Sequence, residues 1–259
     1  MRSQAPEFDT RPFLKIRRAY LDILAAGRRK NLIHGLVEVD VTDARRVLRD
    51  RGAAGEDLSF TAFLIHAVAR AVDADRIMHA YRRRNRLILF RDVDVNTMVE
   101  TEEAGQKIVG SLLIRAANRK TVGEVSQEIR AGQHQTAESQ GRYAWTMAFL
   151  TLPQPVRSLF WRAVMANPMW FKRFGGTVGV SSVGMFGPNG GWGIPIAPTT
   201  LMITVGGITT KPRYVDGILQ PRELLDVTVS VDHDIVDGAT AARFAQHLDE
   251  LITHIAGLQ

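Results

Sequence analysis

Leu225-Asp226-Val227-Thr228-Val229-Ser230-Val231-Asp232-His233-Asp234-Ile235-Val236-Asp237-Gly238, residues 225–238, is the stretch that decides the fold. As far as Asp232 its odd positions are aliphatic and its even positions polar, the period-two signature of a strand with one apolar face. From about Ala239 to Ile255 the apolar residues recur at helical spacing, so a strand passes through a tight connection into a closing helix. Asp237-Gly238 supplies a carboxylate at the helix start and a residue suited to a turn. His233 leaves the strand end, where α/β proteins often place reactive groups, and its reference pKa of about 6.5 suits proton transfer at neutral pH. Taken alone, the same histidine reads equally well as a structural one.

Outward from this stretch, helical and strand patterns alternate. Phe13, Ile16, Tyr20 and Ile23/Leu24 predict an amphipathic helix over about 12–26 that ends at Gly27. Val37, Val39 and Val41 alternate with polar residues as a half-buried strand, and Thr42 or Asp43 is expected to cap a short helix broken at Gly52 to Gly55. Ser59 is expected to cap a more apolar helix, Phe60 to about Val72. Arg86 to Phe90, Val93 to Val99 and Lys107 to Ile114 read as strands of one sheet, and Thr121 with Glu124 has the form of a capping box opening a helix to about Ala131. After Val178 come a strand, a glycine-rich loop, a strand over 201–205 and a hairpin turn at Asp216-Gly217. Residues 1–259 read as a single α/β domain with a mixed sheet. One stretch breaks the rhythm: residues 143–174 hold Trp145, Trp161 and Trp170 among many apolar residues, interrupted by Pro153, Pro155 and Pro168. This apolar aromatic insertion reads as a helical hairpin folded onto the core, a lid over an apolar pocket, a subunit contact or an interfacial membrane anchor.

The 259 residues include no cysteine, 45% are hydrophobic and 23% charged, and 33 basic against 27 acidic side chains give a net charge of +6. That composition excludes disorder, a disulfide scaffold, iron–sulfur clusters and a cysteine nucleophile. Any thiol in the chemistry arrives with the substrate. No histidine pair has metal-ligand spacing, so no metal is expected. The basic residues are interspersed with acids and do not read as a nucleic-acid surface. No run reaches the roughly 18 apolar residues of a membrane span, and the N-terminus lacks a signal peptide's apolar run, so a cytoplasmic protein is expected.

Gly175-Gly176-Thr177-Val178-Gly179-Val180-Ser181-Ser182-Val183-Gly184-Met185-Phe186-Gly187 is a second feature: its glycines permit close backbone approach to a ligand and its serines offer donors. It lacks the lysine of a phosphate loop. Ser181 precedes His233 by 52 residues. Together, this segment and His233 with Asp237-Gly238 resemble the catalytic domain of the dihydrolipoyl acyltransferases of 2-oxo acid dehydrogenase complexes, which is in turn similar to chloramphenicol acetyltransferase. Arg17-Arg18, Glu38 to Thr42, Ser59-Phe60-Thr61 and Asp216-Gly217 support the resemblance. The fold it implies is a chloramphenicol acetyltransferase-like two-layer sandwich with a mixed sheet and packed helices.

The resemblance implies an acyltransferase that moves an acyl group between a thioester, acyl-coenzyme A or acyl-lipoyl, and a thiol or other acceptor. His233 would act as general base and Ser181 would stabilise the oxyanion, Ser182 being turned to the other face by strand alternation. Asp237 would be structural and paired with Arg17, with Gly238 supporting the loop. Coenzyme A or a lipoyl group would enter as co-substrate, with no covalently bound cofactor. The site would lie between subunits of a homotrimer or higher oligomer. Because the fold uses the whole chain, a separate lipoyl carrier protein is expected. The alternative is a non-catalytic oligomeric assembly or a membrane-associated interaction module that retains the fold. One departure touches the base itself: the family's Asp-His-Arg is here Asp232-His233-Asp234, an anion that either favours the imidazolium or pairs with an arginine.

Overall fold

A computed structural model describes residues 8–10, 12–13, 17–103, 106–134, 148–182 and 190–258. Its elements are α1 (Arg17–Gly27), β1 (Leu32–Asp40), α2 (Thr42–Ala53), α3 (Phe60–Ala74), β2 (Tyr81–Arg83), β3 (Arg86–Ile88), β4 (Val95–Glu103), β5 (Gln106–Ile114), α4 (Val122–His134), α5 (Gln154–Ala166), α6 (Pro168–Gly175), β6 (Val178–Ser182), β7 (Leu201–Val215), β8 (Ile218–Asp232) and α7 (Gly238–Thr253). The main sheet runs β1-β8-β7-β6-β4-β5. β6 is parallel to both neighbours and the remaining pairs are antiparallel, so the sheet is mixed as expected.

Registration places Val95, Val178, Leu201, Val231 and Ile33 side by side across five strands, and cross-strand partners share a face. That aliphatic face packs on α3, α4 and α7 in a single core. α3 is apolar around most of its circumference, with Phe63 and Ile65 fully buried. Each such side chain contributes about 1.5–3 kcal/mol of burial. The Ser59 hydroxyl accepts from the Ala62 amide at 3.3 Å, so the expected cap forms. Thr121 and Glu124 form the reciprocal box, the Thr121 amide donating to Glu124 at 2.7 Å and the Glu124 amide to the Thr121 hydroxyl at 3.2 Å.

Three local expectations differ. α2 has no side-chain cap at Val41, because the Thr42 hydroxyl accepts from the Glu223 amide at 2.8 Å on the neighbouring strand. The Arg86 strand leaves the main sheet and pairs only with β2, since a tight turn with Arg84 at φ 53 folds it straight back. β7 and β8 each run 15 residues, well past the core, around a turn in which Asp216 (φ 50) and Gly217 (φ 78) take the left-handed conformations of a two-residue hairpin. On the core part of β8 the polar positions Asp226, Thr228, Ser230 and Asp232 are as buried as the aliphatic ones. The Gly191 amide donates to Asp226 at 2.5 Å there, and the Trp192 indole N–H donates to the Val37 carbonyl.

Candidate active site

His233 sits immediately beyond β8, where its backbone N–H donates to the Asn31 carbonyl at 2.8 Å. The residues on either side tie the turn down. Asp232 is nearly fully buried, pairs with Lys30 at 2.6 Å and accepts from the Asp234 amide. Asp234 accepts from Asn31 at 2.9 Å and from Arg82 at 2.9 Å. Of the two outcomes open for the carboxylate that replaces the family's arginine, the structure shows pairing with an arginine. The imidazole itself is exposed and makes no side-chain hydrogen bond among the described residues. Four anchors, Lys30, Asn31, Arg82 and Asp232, thus hold the peptide on both sides of a free ring. Lys30, Asn31 and Arg82 were not singled out in the sequence, because each lies roughly 150–200 residues from its partner.

Ser181 lies on β6 opposite Thr204, which lies opposite Thr228 on β8. The three hydroxyls share the polar face, and those of Thr204 and Thr228 are buried without a hydrogen-bond partner among the described residues. Ser182 instead aligns with Val205 and Val227, on the aliphatic row, as strand alternation requires. His233 stands five residues past Thr228 and two strands from β6. At about 3.3 Å per residue and 4.8 Å per strand, this puts the Ser181 and His233 backbones about 19 Å apart. The register of one chain thus does not bring Ser181 and His233 together. Val183 to Gly187 of the glycine-rich segment lie outside the described residues.

Asp237 does not pair with Arg17. It is the N-cap of α7, its carboxylate accepting from the Thr240 amide at 2.7 Å, and that bond chiefly lowers its pKa below the usual carboxylate value. Arg17, exposed on α1, makes no ion pair among the described residues. An N-cap carboxylate is already committed to backbone donors, whereas Arg17 belongs to a helix held to the rest of the chain by other residues. Gly238 has no positive φ, and an added Cβ would meet nothing within 4 Å, so within one chain its small size is not required.

The aromatic segment forms α5 and α6; Tyr143 to Met147, including Trp145, lie outside the described residues. Arg157 on α5 pairs with Asp22 on α1 at 2.9 Å, and Tyr81 donates to the Met165 carbonyl. Phe171 on α6 packs on Tyr81 with ring centroids 5.3 Å apart. Between α1, α5 and the His233 turn lies a cavity of about 770 Å³, bordered by Asp232 and Asp234. Among the described residues no helix is long and apolar enough to cross a membrane.

The family model of the 2-oxoacid dehydrogenases acyltransferase (catalytic domain) matches residues 5–144 and 171–259. Residues 145–170 fall between the two matched stretches. The lipoamide acyltransferase component of the branched-chain alpha-keto acid dehydrogenase complex of Bacillus subtilis (strain 168) is 25% identical over 226 residues, 85% of this chain and 46% of that protein. The chain therefore spans about half the length of that relative. A probable dihydrolipoamide acetyltransferase from Listeria monocytogenes 4b F2365 has a TM-score of 0.74 at 22% identity, covering 97% of each chain. The dihydrolipoamide acetyltransferase of Azotobacter vinelandii, investigated for the role of a serine, a histidine and an asparagine in its catalytic mechanism, has a TM-score of 0.71 at 20% identity, covering 97% of this chain and 94% of that one. Chloramphenicol acetyltransferase has a TM-score of 0.51 at 14% identity, covering 89% and 94%. The fold is the mixed-sheet α/β sandwich expected from the sequence.

Proposed function

Because the chain belongs to the 2-oxoacid dehydrogenases acyltransferase (catalytic domain) family, we propose that it transfers an acyl group between a thioester and a thiol at a site assembled from two copies of itself. The register-derived separation of Ser181 and His233 carries this reading, since acyl transfer needs a base and an oxyanion donor at the same carbonyl. A thiol with a pKa near 8.5 is mostly protonated at neutral pH. His233 takes its proton, the sulfur attacks the acyl carbonyl, and a tetrahedral intermediate forms with the negative charge on oxygen. Ser181 of a neighbouring copy donates a hydrogen bond to that oxygen. Collapse breaks the original carbon–sulfur bond, and the leaving thiolate takes the proton back from the imidazolium. The exposed, unpaired ring of His233 and the four anchors around it support its role as a presented base.

Acyl-coenzyme A and acyl-lipoyl thioesters are the proposed donors, the second supported by the lipoamide named in the Bacillus relative. A homotrimer is the proposed assembly, with a lipoyl group delivered by a separate carrier. The test is thiol release from a panel of acyl-coenzyme A compounds with dihydrolipoamide as acceptor. Wild type should turn over while His233→Ala and Ser181→Ala are each nearly inactive. Co-assembly of the two variants one-to-one should recover about one quarter of wild-type activity, because about one interface in four then pairs an intact histidine with an intact serine in a closed ring. No turnover by wild type across the panel overturns acyl transfer, and failure of complementation overturns the two-copy site.

A further inference from the structure

We propose that the cavity between α1 and α5 is a binding site for an amphipathic anion, with much of its wall supplied by a segment outside the family match. Thr151 to Met165 contribute one side of the cavity, and all of them lie within the unmatched residues 145–170. The other side is α1 and the His233 turn. At about 770 Å³ the space suits one small organic ligand.

Its charge is the informative property. Three carboxylates line it, and each already has a basic partner: Asp22 with Arg157, Asp232 with Lys30, Asp234 with Arg82. Three further guanidinium groups, Arg18, Arg29 and Arg162, line it without a carboxylate among the described residues, and of these Arg18 donates to the Leu150 carbonyl at 3.3 Å. The Trp161 indole N–H is buried without an acceptor among the described residues. Leu21, Leu152, Trp161 and Met165 supply the apolar surface. An anionic group therefore finds the donors of Arg29 and Arg162, while an apolar body finds a wall that includes the exposed side chains of Leu21 and Leu152. Two sources share this chemistry: an acyl chain that carries its own carboxylate, and the phosphates of a nucleotide-bearing thiol. The cavity borders the His233 turn through Asp232 and Asp234, but neither His233 nor Ser181 lines it, so the binding does not depend on the proposed acyl transfer.

The experiment is a binding titration on the full chain, read by calorimetry and by Trp161 fluorescence with Trp161→Phe as the signal control. The probes are suberate, octanoate, 1-octanol and coenzyme A. At least one anion should bind about tenfold more tightly than 1-octanol, and Arg29→Gln/Arg162→Gln should lower that anion's affinity about tenfold or more without changing that of 1-octanol. Tightest binding by suberate identifies an acyl carboxylate; tightest binding by coenzyme A identifies the phosphates. His233→Ala should bind as wild type, which separates this site from the transfer chemistry. The proposal is overturned if no anion binds better than 1-octanol, or if the double variant, folded by circular dichroism, binds as wild type. Both arginines make no ion pair among the described residues, so their replacement leaves the scaffold intact.

Discussion

The Arg157 guanidinium and the Asp22 carboxylate form an ion pair at 2.9 Å with only 6% of either side chain exposed, joining the helix of the unmatched segment to the first helix of the chain. Arg157 also donates to the Leu152 carbonyl at 2.8 Å, so one side chain orders both the entry to α5 and its seat on α1. A buried pair is weak evidence for net stability, but removing one member strands a charge. Arg157→Ala should therefore destabilise the protein by about 3–5 kcal/mol in urea unfolding. The double replacement Asp22→Leu/Arg157→Met should recover most of that loss. A single Arg157→Ala protein as stable as wild type would show that the pair does not order this helix.

The Lys30–Asp232 pair positions the turn and does not touch the reacting atoms. Lys30→Met should lower kcat for thiol release about 10- to 100-fold by letting His233 drift from the productive geometry, with a much smaller change in KM. Steady-state kinetics on the folded variant decides this, and an unchanged kcat would remove the pair from the positioning role.

Ser181 and Ser182 are adjacent in sequence and opposite in facing. Ser181→Ala should reduce kcat about 10²- to 10³-fold through loss of one oxyanion donor. Ser182→Ala, on the aliphatic row beside Val205, should stay within a few-fold of wild type. The reverse order of effects would mean that the register of β6 does not present Ser181 to the substrate.

His79 is 1% exposed and bonds through Nδ1 to the Thr177 hydroxyl at 3.1 Å, with Nε2 also buried. Burial, the largest cause, pushes its pKa from 6.5 down to about 4. The unfolded chain therefore binds a proton at higher pH than the folded one. The stability that His79 contributes is fully present above pH 6.5 and is lost as pH falls towards 4, by at most about 3 kcal/mol. Urea unfolding of wild type between pH 4 and 7 should show this slope in excess of His79→Gln. Parallel pH profiles would show that His79 is not the responsible group.

What was legible along the chain consists of relations within a few residues. The alternation of Leu225 to Asp232, the Ser59 cap, the Thr121–Glu124 box and the left-handed Asp216-Gly217 turn all recur in the structure because each is enforced by sterics or hydrogen bonds between near neighbours. The cap expected at Thr42 failed because a distant amide, that of Glu223, competes for the hydroxyl. The strand at Arg86 failed because β propensity says nothing about which sheet a strand joins. His233, Ser181 and Asp237 could be named from the sequence, but the supposed Arg17 partner of Asp237 could not be checked there.

By itself, then, the sequence determined the period of each element, the strand end that carries His233 and the facing of Ser181 against Ser182. Only the tertiary structure decided that Asp234 pairs with Arg82, that Asp22 meets Arg157, that Arg29 and Arg162 line one cavity without a carboxylate among the described residues, and that Ser181 and His233 lie far apart along the register of one chain. The reason is physical: alternation and capping are set by bonded neighbours, whereas these pairings join residues separated by 50 to 200 positions and depend on the order β1-β8-β7-β6-β4-β5 in which the strands come together.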